Sequence, residues 1–217
     1  MKLYKLTDEN DQTFNNTQWG EGVTHETSGQ GDLCGPGWIH AYIHPLLAVL
    51  LNPMHADFAN PHLWEGEGHV GITDHGLKVG CTKFTTLTRM ALPAITTEQR
   101  VRFAILCVKQ VYDDVRWNTW ADNWLSGEDR TARAAQATQT AAWAAAWEAA
   151  RAAGAAAAAA DAATRAADAA ADATTWAATW TAGAAWEAAW SAARAAAVSG
   201  RPLDLVAIAK RAVDEES

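Results

Sequence analysis

The chain has 217 residues, a net charge of −8 at neutral pH with histidine uncharged, and 49% hydrophobic residues. That length suits one large domain, or an ordinary domain with an extension. An acidic balance, with a pI near 5.3, provides no basic footprint for nucleic acid. No segment reads as a membrane span, because Asp161, Arg165, Asp168 and Asp172 interrupt the one alanine-rich tract. The opening MKLYKLTDEND lacks the apolar stretch of a secretory signal, so a cytoplasmic protein is expected, without nucleic-acid or membrane partners.

In chain order, LYKLT (3–7) alternates as a short strand. CGPGWIHAYIHPLLAVLLNP follows, predicting a turn, a strand over Trp38 to Ile43 and an apolar helix after Pro45. HLWEGEGHVGIT (62–73) and LKVGCTKFTTLTRMALP (77–93) are β-rich runs joined at Asp74-His75-Gly76, a turn sequence. Thr96 and Gln99 have capping-box spacing, and Val101, Ala104, Ile105, Val108 and Tyr112 share one face of a helix over 96–113. Trp117, Trp120 and Trp124 form an aromatic stripe on a second helix, 116–125, and such a stripe reads as core. Ser126 and Asp129 are placed to cap the next helix.

Beyond Gly127 the composition changes. From Thr131 to Val198 there is no proline or asparagine, and glycine occurs only at Gly154 and Gly183. Alanine is the best helix former, so one long helix bent at the glycines is the first reading, roughly 90 Å from Arg133 to Arg194. A helical hairpin stays open as the alternative. Along the single helix Trp143, Trp147, Trp176, Trp180, Trp186 and Trp190 fall on one side and alanine on the other. The segments AAWAAAWEAA (141–150) and AAWEAAWSAA (184–193) nearly repeat. These six tryptophans are therefore the interface candidates, and a homo-oligomer joined by coiled-coil-like helix contact is expected, with a protein or small molecule as a further partner. LDLVAIAKRAV, after Pro202, predicts a short amphipathic C-terminal helix. The expected class is α+β: a head over 1–127, an alanine/tryptophan stalk over 128–199 and a helix and tail over 200–217.

The head holds the chemistry-bearing side chains. Cys34, Trp38, His40, His44 and Glu65 are the ligand-binding candidates. Cys34, His40 and His44 are zinc-ligand types, but no CxxC or HxxxH-plus-carboxylate set completes a metal site. Cys34 and His40 also supply the groups of a thiol–imidazole pair. Glu65 and Glu67 alternate on one strand as a carboxylate pair. Gly35-Pro36-Gly37 is a turn rather than a phosphate loop. No cofactor and no metal are expected, and no catalytic residue is assigned. Cys34, Cys81 and Cys107 are far apart and odd in number, and read as reduced, buried thiols.

The stretch from Leu33 to Pro53, with C-x-x-G-x-x-H-A at Cys34 to Ala41 and the Tyr4-Lys5 strand, resembles a group of uncharacterised bacterial and phage domains. Such domains often carry Ala- and Trp-rich helical tails, and the likeness implies no activity. A fainter likeness is to the ADP-ribosyltransferase core, over Gly35 to Leu51. It implies a transferase whose motif tyrosine falls at Ile39 and whose catalytic glutamate is Glu65 or Glu67. The expectation is a non-enzymatic binding or assembly protein of phage or bacterial origin. The alternative is a nucleotide-binding or ADP-ribosyltransferase-like enzyme in the head.

Overall fold

The computed structural model describes residues 1–139, 142, 155–173 and 178–214. The protein is α+β, and it divides into two compact units, Met1–Ala94 and Ile95–Ser217.

The first unit is a five-stranded antiparallel sheet, a separate two-stranded ladder of Gln12–Thr13 with Thr17–Gln18, and one α-helix. Its strands are β1 (Lys2–Thr7), β2 (Gln12–Thr13), β3 (Thr17–Gln18), β4 (Thr24–Glu26), β5 (Ile39–Ala41), β6 (His62–Asp74) and β7 (Lys78–Met90), with α1 (Pro45–His55) between β5 and β6. The β6–β7 turn falls at the expected place: His75 and Gly76 both have positive φ and Leu77 N–H bonds to the Asp74 carbonyl at 2.8 Å. A tight hairpin needs that left-handed pair to match the strand twist.

One edge of β7 pairs with β6, and the other takes β4 and then β5 in succession. β1 pairs with the far side of β6. Two 2.8 Å backbone bonds between Tyr4 and Tyr42 then join the end of β5 back to β1. Pairing thus closes a ring of β1, β6, β7 and β5. Leu3, Trp19, Ile39, Ala41, Val79, Cys81 and Phe84 form one of the unit's buried clusters. A Cβ at Gly68 would meet Leu3, Cys81 and Phe84 at 3.0 Å. Helix α1 starts where the sequence expects, with Pro45 in its first turn and the His44 ring accepting from Leu46 N–H at 3.2 Å. It buries Leu47, Ala48, Leu50 and Leu51.

The second unit is helical: α2 (Thr97–Val108), α3 (Val115–Ser126), α4 (132–139), α5 (Ala155–Asp172), α6 (Ala178–Val198) and α7 (Leu205–Asp214). The Thr96–Gln99 capping box is formed in both directions. Asp114 caps α3, and Gly127 ends it at φ 82°. Thr131, rather than Ser126 with Asp129, caps α4, its hydroxyl accepting from Ala134 N–H at 3.3 Å. The tryptophan stripe of α3 is buried. None of the described helices is long and apolar enough to cross a membrane.

Two expectations are corrected here. The compact boundary lies at Ala94/Ile95, not Gly127, because α2 is buried along Val101 to Val108 and packs on α5, α6 and α7. The long helix does not form either. α5 and α6 lie side by side and antiparallel: Arg165 pairs with Glu187 at 2.9 Å, while Ser191 donates to Asp161 at 2.9 Å. Gln139 likewise bonds to Asp168, although a continuous helix would set them roughly 43 Å apart. Size complementarity explains the reversal. Ala162, Ala163, Ala166 and Ala169 on α5, and Ala188, Ala189, Ala192 and Ala195 on α6, are all buried. Small side chains let helix backbones approach closely, so the alanine face finds its cover within the chain. Gly154 lies outside the described residues.

Candidate functional site

The sequence-nominated residues of the head meet very different partners. Trp38 is a structural plug: its Nε1–H donates to the Gly31 carbonyl at 2.9 Å, its ring fills the space beside Gly29 and Gly71, and its Cβ lies beside Gly80. His44 is the α1 cap described above, lying beyond β5 rather than on its face with His40. Glu65 sits on β6 and pairs with Lys2 at 2.6 Å, while Glu67 is the exposed residue opposite Lys2 in register.

Cys34 and His40 are brought to one place. Gly29 N–H bonds to the Gly37 carbonyl at 2.9 Å and closes the loop between them at its neck. At the tip, the Leu33 carbonyl accepts from His40 Nε2 at 2.5 Å, so that nitrogen carries the ring proton. Burial lowers the His40 pKa, the Leu33 bond opposes this, and the charges of Lys78 and Lys5 lower it further. The neighbouring Cys34 thiol is exposed, unlike the buried Cys81 and Cys107, and it takes a 3.4 Å contact from the Lys78 ammonium. The expectation of three buried thiols therefore fails at Cys34.

A second polar cluster was not legible from spacing. Asp11, at φ 58°, accepts from Thr7 at 3.3 Å, His62 Nδ1 at 2.9 Å and Trp64 Nε1 at 3.0 Å, and pairs with Arg89. Burial works to raise its carboxyl pKa, but the bonds from His62, Arg89 and Trp64 outweigh it and hold it low. Arg89 also lies over the Trp64 ring at 5.3 Å. Apart from Thr7, the partners lie 51 to 78 positions from Asp11 in sequence, so no local motif announces them. Asp11 is a saturated acceptor, and the cluster fastens the β2–β3 segment to the sheet.

The third candidate group is on α6. Trp186 and Trp190 stack with centroids 6.3 Å apart and planes 22° from parallel. Arg194 continues the row, its guanidinium 5.4 Å over Trp190. Four-residue spacing on a helix puts these side chains one above another. Glu187 and Ser191, which face α5, are about 100° round the helix from them. Both tryptophans are only part-buried, whereas the alanines Ala185, Ala188, Ala189, Ala192 and Ala193 are buried. Trp143, Trp147, Trp176 and the side chain of Trp180 lie outside the described residues. No family model, curated protein or solved structure matches the chain.

Proposed function

We propose that the protein is a non-enzymatic binding or assembly protein that self-associates through the aromatic face of α6. The observation that carries this reading is the stacked Trp186–Trp190 pair, part-exposed on a helix whose burial is already supplied by alanine. Tryptophan offers up to about 250 Å² of contact area per residue, and it is enriched among residues that dominate binding energy. A flat two-ring row ending in Arg194 suits an equivalent row on a second copy, since a two-fold pair matches one patch to itself. The near-repeat of AAWAAAWEAA and AAWEAAWSAA supports a surface built for like partners.

Light scattering of the wild type and a Trp186→Ala, Trp190→Ala variant tests the proposal. The wild type is expected to dimerise. The variant keeps its helicity, since alanine is the better helix former, and each lost anchor weakens association by about 2 kcal/mol, or roughly thirtyfold in Kd. A wild type that stays monomeric at high concentration overturns the reading.

A further inference from the structure

The head contains a buried cation, Lys78, with no described carboxylate against it. Lys78 is 4% exposed, yet its ammonium meets only the Cys34 sulfur, 3.4 Å away, among the described residues. A thiol is a weak acceptor, and an ammonium has three N–H groups to satisfy. No described carboxylate lies within 4 Å of it: the ion pairs of the unit involve Lys2, His62, Lys83 and Arg89.

His55 and Tyr42 nearby are held uncharged, while Lys5, which with Lys78 acts on His40, adds a second positive charge. Burial, followed by the charges of Lys78 and His40, lowers His55 to about 3. Burial also raises the Tyr42 hydroxyl far above its ordinary value, so it stays protonated, and it shares a 2.9 Å hydrogen bond with His55 Nδ1. Burial, with the charges of Lys78 and Lys5, lowers the His40 pKa against the opposing bond to Leu33. An isolated buried charge is costly unless something compensates it, and no residue described around Lys78 does so. Cys34 opens the position to solvent.

We propose that Lys78 and the loop tip at Cys34 form a binding site for a small oxyanion group, either free phosphate or the phosphate of a metabolite. The anion sits at the mouth beside Cys34 and accepts from the ammonium N–H groups that the sulfur leaves over. His40, through Leu33, positions the loop tip that forms the mouth. This site is independent of the helical interface proposed above, and either can fail alone.

The test titrates the full chain with inorganic phosphate, AMP and acetate at constant ionic strength, read by Tm and calorimetry. Saturable binding with a rise in Tm is expected for at least one phosphate. Tighter binding of inorganic phosphate identifies a free-anion site, and tighter binding of AMP a metabolite site. No saturable response to either, or a response to acetate alone, overturns the proposal. Lys78→Met should weaken binding at least about tenfold, while Lys83→Met, at an exposed lysine paired with Glu26, leaves it intact. Cys34→Asp keeps the test decisive if Lys78→Met fails to fold. It places a carboxylate beside the ammonium, so Tm should rise and anion binding should disappear. Wild-type binding by Cys34→Asp would also sink the idea.

Discussion

The two units bury their interiors by opposite means. The head fits large side chains into spaces that glycine leaves: Phe84 lies where a Cβ on Gly66 would come within 2.7 Å of it, and Trp38 where one on Gly71 would come within 2.5 Å. The α5–α6 pair does the reverse, burying row after row of alanine so that backbones meet with little between them. One interior depends on volume that is present and the other on volume that is absent. The two should therefore fail under opposite substitutions.

The largest effect expected is at the ring core. Phe84 is fully buried, so Phe84→Ala should destabilise the head by about 3–5 kcal/mol through lost burial and the cavity left behind. The matching experiment in the helical unit enlarges instead. Ala188 is also fully buried, and Ala188→Leu should cost about 1–3 kcal/mol by forcing the helices apart. Urea denaturation, with hydrogen exchange to report each unit, separates the two. Tolerance of leucine at Ala188 would show that the alanine face is loosely packed and would break the contrast.

A smaller effect marks a polar exception in the head. Lys5 is buried, donates to the His40 carbonyl at 3.1 Å and lies 4.6 Å over the Trp19 ring. Desolvation lowers its pKa from 10.5 to about 8. Below about pH 8 both folded and unfolded chains carry this proton, and the folded state bears the cost of burying it. Between about 8 and 10.5 only the unfolded chain is protonated, so this group makes stability climb with pH. The shift corresponds to about 3 kcal/mol at most, and Lys5→Met should recover up to that amount at neutral pH. Cys81, raised by burial from 9.0 to about 11, acts in the opposite sense above pH 9. The relevant measurement is thus the difference between the wild-type and Lys5→Met stability curves. A variant less stable than wild type at pH 7 would mean that the Trp19 and His40 contacts outweigh desolvation.

The same contrast explains what could be read from sequence. Strand alternation, the Asp74-His75-Gly76 turn, the His44-Pro45 start of α1 and the Thr96–Gln99 box are short-range signals, and each element appears where those residues place it. The reversal between α5 and α6 has no such signal, because alanine favours helix equally on both sides of it. Only the burial gained when two alanine faces meet selects the folded-back arrangement, and that gain is non-local. At the candidate sites the residue types were legible at Cys34 and His40, but their partner Lys78 lies 44 positions from Cys34. Trp38 and His44 looked chemical because tryptophan and histidine serve both sites and scaffolds. Only their contacts with the glycines and with Leu46 N–H assign them to the scaffold.

The smallest effect tests whether those local signals carry stability in the helical unit or merely mark a boundary. Thr96 Oγ1 accepts from Gln99 N–H at 3.1 Å, and the Gln99 side chain returns a bond to Thr96 N–H at 2.9 Å. Gln99 is itself buried and donates to the Val213 carbonyl at 3.2 Å, tying the start of α2 to the end of α7. Thr96→Ala removes one cap bond and leaves the glutamine in place, so a loss of about 1 kcal/mol is expected. Thr96→Ser keeps the hydroxyl and should stay within a few tenths of a kcal/mol of wild type. Gln99→Ala should lose more than Thr96→Ala, because it also leaves the Val213 carbonyl without this donor. Equal losses for the two alanine variants would show that the Val213 bond adds nothing, and that α2 is held by its apolar burial alone.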